Sequence, residues 1–192
     1  GFSYKTNGPL DLRLDPETGV SAAGRLAAMT QDEIEGMLIE NADEPYAAAI
    51  AKQIVRDERR APIETTRALH ETIERALKTV HFPKGTTPEE QTDAVKKSSA
   101  RTFQALRIDV NREYEVLYEF MEKLPAALAP GGRAAILTFH SGEDRIVKKA
   151  FQAFYRAGVY SDISNGVIRP SKEECYRNPR AHSTKLRWAI KA

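Results

Sequence analysis

The stretch from Pro130 to Tyr155, PGGRAAILTFHSGEDRIVKKAFQAFY, limits what this chain can fold into more than any other segment. A Pro-Gly-Gly turn feeds an apolar run, Ala134 to Phe139, that is rich in β-formers and too short for a helix. His140 and Ser141 break the run. Ser141 with Asp144 three residues on predicts a capping-box-like helix start, in which the hydroxyl accepts a backbone N–H and the acid sits near the positive end of the dipole. Beyond it, Ile146, Val147, Ala150, Phe151 and Phe154 share one helical face. The stretch reads as strand, tight turn and helix, with His140 and Ser141 at the strand's carboxyl end, where open α/β sheets bind ligands. A plainer reading stands beside this one, in which Ser141 is only a cap and His140 a satisfied turn residue, because caps far outnumber active sites.

With 192 residues, 41% hydrophobic and 29% charged, the chain has material for a sizeable core. A net charge of +2 permits a nucleic-acid partner without arguing for one. Cys175 is the one cysteine, which excludes a disulfide framework or a cysteine metal site and suits a reducing compartment. No apolar run approaches a membrane span and no signal-peptide pattern opens the chain, so no membrane partner and a cytoplasmic location are expected. Gly131-Gly132 follows a helical pattern and precedes a strand, the wrong side for a phosphate-cradling helix N-terminus. His-x-x-x-His, Cys-x-x-Cys and Gly-x-Ser-x-Gly spacings are absent, so neither a metal site nor a nucleophile elbow is expected.

Residues 1–20 read as loop with one alternating run, Leu10 to Asp15, expected as a short half-buried strand. Its charges, Asp11, Arg13 and Asp15, either line one wall of a site or are merely solvated. Helical patterns follow: one capped by Ser21 through Ala28, one opened by the Thr30–Glu33 capping box, one within Glu44 to Arg60, and one capped by Thr65 or Thr66 through Lys78. Val80 to Ser98, with Pro83, Gly85 and Pro88, reads as a mobile basic loop. A long helix is expected from about Ala100 to Leu128, with Phe103, Leu106, Val110, Leu117, Met121 and Leu124 inward. Arg101, Gln104, Arg107 and Asn111 interrupt that stripe. This polar face either contacts phosphates and base edges or is a hydrated face paired with acids such as Glu113. Gly158 to Asn165 reads as a turn, Gly166 to Pro170 as a short strand and Thr184 to Ala192 as a last strand, with Arg180, Lys185 and Arg187 clustered near it.

Four segments in order, GFSYKTNGPLDLRLDP, ARTFQALRIDVNREYEVL, LAPGGRAAILTFHSGEDRIVK and NPRAHSTKLR, resemble one family, the bacterial ribosomal small-subunit RNA methyltransferases that act on the exocyclic amine of a cytosine (RsmH, formerly MraW). The resemblance spans essentially the whole chain, more loosely through the helical segment and Val80–Ser98. It implies an α/β fold, a partial class I (Rossmann-like) methyltransferase sheet with an inserted all-helical subdomain. The implied domains are 1–20 as loop and strand of the catalytic domain, 21–98 as a helical RNA-binding insertion, and 99–192 as late helices and strands of the methyltransferase domain. S-adenosyl-L-methionine is the implied cofactor, yet the family's glycine motif and its acidic ribose-binding residue have no counterpart here. The chain is therefore expected to be the carboxyl-terminal part of the enzyme and inactive alone.

The resemblance implies a substrate side made of Asp11, Arg13, Arg101, Arg107 and Asn111, with His140 and Ser141 bordering the base. Phe103 either stacks on the base or belongs to the core, and Arg180 and Lys185 are expected on RNA phosphates. No catalytic base is assigned. The implied partner is small-subunit ribosomal RNA or the 30S subunit, and a homodimer through an exposed sheet edge is left open. A shortened, non-catalytic RNA- or ribosome-binding relative, or a subunit completed by another chain, is the competing reading. Two departures from the family pattern, Gly142 for a leucine and His182 for an arginine, loosen the helix start and remove a permanent charge.

Overall fold

The computed structural model describes residues 6–192, so the start of the GFSY motif lies outside the described residues. The chain divides into two compact units, Gly1–Glu113 and Tyr114–Ala192.

The first unit is helical. Ser21 Oγ accepts the Gly24 N–H to start α1 (Ala22–Ala28), and Thr30 and Glu33 form a reciprocal capping box at α2 (Gln31–Ala42). Next come α3 (Ala47–Glu58) and α4 (Thr66–Leu77), the latter capped by Thr65. The last is α5 (Pro88–Asn111). Leu26, Ile34, Leu38, Ile50, Ile54, Leu69, Ile73 and Leu106 are buried together, each from the apolar stripe of its helix. Asp57 ties α3 to α4, accepting from Gln53, Thr72 and Arg75 at 2.8–3.1 Å.

Three expectations fail here. Val80–Ser98 is not a loop throughout, because Thr87 and Glu90 form a second reciprocal capping box with Pro88 in the first turn, and α5 begins there and passes Ser98 and Ser99 unbroken. The single helix over Ala100–Leu128 is two: Arg112, left-handed at φ 52°, ends α5, and α6 (Glu113–Ala127) follows. Leu10–Asp15 is not a strand. Leu10 and Leu12 are buried as the alternation demands, but Leu12 has φ 64° and Leu14 is 70% exposed, so extended geometry stops after one bridge, Pro9 to Thr65.

The second unit is α/β. After α6 come β1 (Arg133–Thr138), α7 (Ser141–Arg156), β2 (Tyr160–Ile163), α8 (Lys172–Arg177), a 3-10 turn (Pro179–Ser183) and β3 (Lys185–Lys191). The sheet order is β1-β3-β2, both outer strands antiparallel to β3. β1 and β2 are therefore parallel, joined through α7, with β3 inserted between them. Phe151, Tyr160, Met121, Ile146 and Val147 are buried together, Phe151 and Tyr160 meeting edge to face at 5.6 Å. The expected strand at Gly166–Pro170 is only one bridge, Ile168 to Leu186, while Tyr160–Ile163, read as turn, is a strand. Tyr160 decides this: it is 1% exposed, packed between Phe151 and Phe154, and its neighbours pair with β3.

Candidate functional site

In the first unit, Asn111 holds the chain segment that follows Pro9. Its Nδ2 donates to the Leu12 and Arg107 carbonyls, both at 2.8 Å, and its Oδ1 accepts the Leu14 N–H at 2.8 Å. Two donors and one acceptor are thus used in one amide. Flanking the pinned Leu12, Asp11 and Arg13 form a bidentate pair, Nε to Oδ1 at 2.6 Å and Nη2 to Oδ2 at 2.9 Å. Arg13 Nη1 also donates to the Thr18 and Gly19 carbonyls. The Arg13 hydrogen bond holds the Asp11 carboxyl below the usual aspartate range against the opposing effect of burial. The structure therefore brings Asp11, Arg13 and Asn111 into one cluster.

Arg107 is occupied as well, bidentate to Glu113 at 2.8 and 3.0 Å, and Gln104 reaches the Asn41 carbonyl at 3.5 Å. Most of the polar face left open by sequence thus closes on protein partners, Glu113 among them. Arg101 differs. Its nearest acid is Glu44, with Nη1 to Oε2 at 3.9 Å, and its side chain is 40% exposed. Phe103 is 4% exposed within the helical core, the packing alternative, so it offers no ring for a base to stack on.

In the second unit, β1 ends at Thr138 and the helix start lies one residue earlier than the capping pattern implies. His140, not Ser141, is the N-cap of α7: its Nδ1 accepts the Glu143 N–H at 3.4 Å. Glu143 Oε2 in turn accepts the Phe139 N–H at 2.9 Å. His140 Nε2 is buried and lies 3.4 Å from Glu143 Oε1. Burial alone would raise the Glu143 carboxyl, but His140 and the Phe139 N–H hold it below the usual glutamate range. Ser141 is the exposed first residue of α7. Asp144 does not complete a cap; it forms a bidentate pair with the largely buried Arg187 at 2.8 and 3.1 Å. Gly142 is buried against Tyr114, whose ring centroid lies 6.1 Å from that of His140. Arg180 is exposed in the 3-10 turn and Lys185 half-buried at the start of β3.

Sequence reading missed Glu143, Tyr114 and the Asp144–Arg187 pair. Glu143 had a signal, since it stands three residues after His140, the capping-box spacing assigned instead to Ser141 and Asp144. The other partners are distant in sequence and carry no local mark.

The second unit is thus α/β, a three-stranded antiparallel sheet with His140, Ser141 and Glu143 just past the end of β1. The chain belongs to the MraW methylase family, which it matches along residues 1–192. It is 62% identical over its full length to ribosomal RNA small subunit methyltransferase H 1 of Lachnoclostridium phytofermentans, covering 51% of that protein. It is 59% identical, again over its full length, to methyltransferase H 2 of Alkaliphilus metalliredigens, covering 54% of it. With ribosomal RNA small subunit methyltransferase H of Kosmotoga olearia it shares 41% identity over 98% of this chain and 59% of that protein. The chain thus spans about half the length of the curated relatives it matches.

Proposed function

We propose that this chain supplies the RNA-facing part of an S-adenosylmethionine-dependent methyltransferase acting on the exocyclic amine of a cytosine in small-subunit ribosomal RNA. The observation that carries this reading is the family match along all 192 residues, with relatives at about 60% identity named for that RNA. Methyl transfer to an amine depends on holding the nitrogen in line with the methyl group, so most of the protein's work is positioning. A base must also leave its stack to be reached.

The Asp11–Arg13–Asn111 cluster suits a rigid wall of the substrate site, because each of its side chains is fixed by at least two hydrogen bonds. Arg107, held by Glu113, supports that wall. His140 and Ser141 would border the base, and Arg101, Arg180 and Lys185 would meet phosphates. Phe103 has no place in this site because it is core. The adjacent glycines do not fit a cofactor cradle: Gly131, at φ 75°, turns the chain, and a Cβ on Gly132 would lie 2.7 Å from the Ala129 carbonyl oxygen. The partial Rossmann-like reading of the sheet rests on the parallel β1 and β2 joined by α7.

The test joins this chain to the part of the Lachnoclostridium relative that it does not cover and assays transfer of labelled methyl groups to small ribosomal subunits, with the modified nucleoside identified by mass spectrometry. Methylation of a cytosine amine is the expected result. A soluble chimera that methylates another position, or nothing while the intact relative is active, would overturn the reading. The chain alone is expected neither to bind S-adenosylmethionine by titration calorimetry nor to transfer methyl groups. A second reading, pairing of this chain with a copy of itself, rests on β1. Its edge away from β3 has no strand partner among the described residues, and Leu137 and Phe139 are 52% and 53% exposed. Sedimentation that finds only monomer would remove it.

A further inference from the structure

The helical unit contains a cavity of about 360 Å³ whose walls include Pro45, Tyr46, Phe82, Pro83, Lys97 and Arg101. We infer that it holds one nucleotide of a single-stranded RNA segment, the phosphate on Arg101 and the base against Tyr46 and Phe82. The inference rests on the proposed RNA-facing role and names a place for it.

Three observations converge on this cavity. The first is aromatic. Tyr46 and Phe82 form an edge-to-face pair with centroids 5.9 Å apart, both half-buried, and both line the space. Aromatic walls accept any base through its π face. The volume falls in the range of small-ligand sites, which begins at about 300 Å³.

The second is charge. The two acids at the rim are already engaged. Glu90 accepts the Thr87 N–H in the α5 capping box, and Asp93 pairs with Lys97 at 2.7 Å. Arg101 donates no hydrogen bond to any described residue, so its fork of N–H donors remains available for a phosphate.

The third lies beneath Arg101. Glu44 is fully buried, and its Oε1 accepts from Ser98 Oγ at 2.9 Å and from the Tyr46 N–H at 3.0 Å. Its Oε2 is buried with no hydrogen-bond partner among the described residues, and Arg101 Nη1 stands 3.9 Å away, beyond hydrogen-bond reach. An orphaned buried carboxylate oxygen is costly. Here its field holds a guanidinium at the cavity without consuming a single donor of it. Glu44 is therefore a positioning residue for Arg101, and through Tyr46 it also fixes the backbone from which the aromatic wall projects.

The experiment uses the 192-residue chain and a fluorescein-labelled single-stranded hexacytidylate RNA, read by anisotropy across a salt series. Arg101→Gln is expected to weaken binding about tenfold and to reduce the salt slope by about one. Arg101→Lys should keep the slope and lose a few-fold in affinity, because a point charge replaces a fork. Tyr46→Leu, which keeps the apolar bulk, should weaken binding at least about fivefold with an unchanged slope. Lys52→Gln, exposed on α3 and not among the residues lining the cavity, controls for the loss of one charge. A same-length RNA duplex and inorganic tripolyphosphate should compete poorly.

Thermal unfolding separates this from a purely structural role in which Arg101 only screens Glu44. Arg101→Gln that lowers Tm but leaves RNA affinity and salt slope unchanged overturns the inference. Equal competition by tripolyphosphate or duplex, or no effect of Tyr46→Leu, overturns it as well. If wild-type chain binds the RNA and every cavity variant binds equally, the cavity is wrong and the RNA-facing role stands; if wild-type chain binds no RNA, both fall.

Discussion

Replacing Asn111 with alanine removes the amide that pins the Leu12–Leu14 segment to α5. Three hydrogen bonds of 2.8 Å are lost. The one to Arg107 is an added bond on a helix carbonyl and counts for little. The other two each contribute about 1 kcal/mol net, giving a loss of about 2 kcal/mol. Leu10 keeps its own anchors, its N–H to Glu64 and its carbonyl to Ala23, so the segment loosens from Leu12 onward rather than detaching. Asn111→Asp should be at least as damaging, since it sets a charged oxygen against two carbonyls while keeping the acceptor for Leu14. The assay is urea unfolding followed by helical circular dichroism, combined with amide exchange at Leu14. Both variants should lose protection of the Leu14 amide, and residues of the Asp11–Arg13 pair should shift with it. An Asn111→Ala loss below about 0.5 kcal/mol, with Leu14 protection unchanged, would refute the pinning role.

Asp57 gives a pH-dependent test. Burial on its own raises its carboxyl, but hydrogen bonds from Arg75, Thr72 and Gln53 hold it below the usual aspartate range. A folded pKa below the unfolded one means that this stabilisation is complete above the unfolded value and is lost as pH falls through the folded value. Asp57→Asn should cost about 1–2 kcal/mol near neutrality, discounted because Arg75 is half exposed, and the gap to wild type should close on acidification; a gap independent of pH would contradict it. At the start of α7, a Cβ on Gly142 would lie 1.7 Å from the Tyr114 hydroxyl oxygen and 2.7 Å from Cζ. Gly142→Ala should cost about 1–3 kcal/mol, and adding Tyr114→Ala should recover part of it; strictly additive losses in this cycle would show that the two residues do not meet.

The extent to which the fold was legible follows the range of the interactions. Thr30–Glu33 and Ser21 each cap within three residues, and the helices they announce form as read. The same rule found in Thr87 and Glu90 would have placed the start of α5, but Pro83, Gly85 and Pro88 drew the segment toward a loop. Pro88 is in fact compatible with a first helical turn, where its missing N–H has no partner to lose. At His140 the rule applied one residue too late, because histidine is an uncommon cap and serine a common one.

The candidate site was legible as residue types rather than as an arrangement. Asp11, Arg13 and Asn111 stood out in the sequence, and Glu113 was a named partner for the polar face. What joins Asn111 to Leu12 and Leu14, however, is contact across 99 and 97 positions. Asp144 meets Arg187 across 43 positions, and Ser98 meets Glu44 across 54. The left-handed turns at Leu12 and Arg112 carry no glycine to announce them. Sequence alone determined the helices capped by Ser21 and Thr30, β1, the last strand and the family, because local capping, short-period patterning and family motifs need only neighbouring residues. Tertiary structure alone decided where α5 stops, which segment pairs as β2 and which arginines remain available, because strand pairing and ion pairing are settled by whichever distant partners packing brings within a few ångströms.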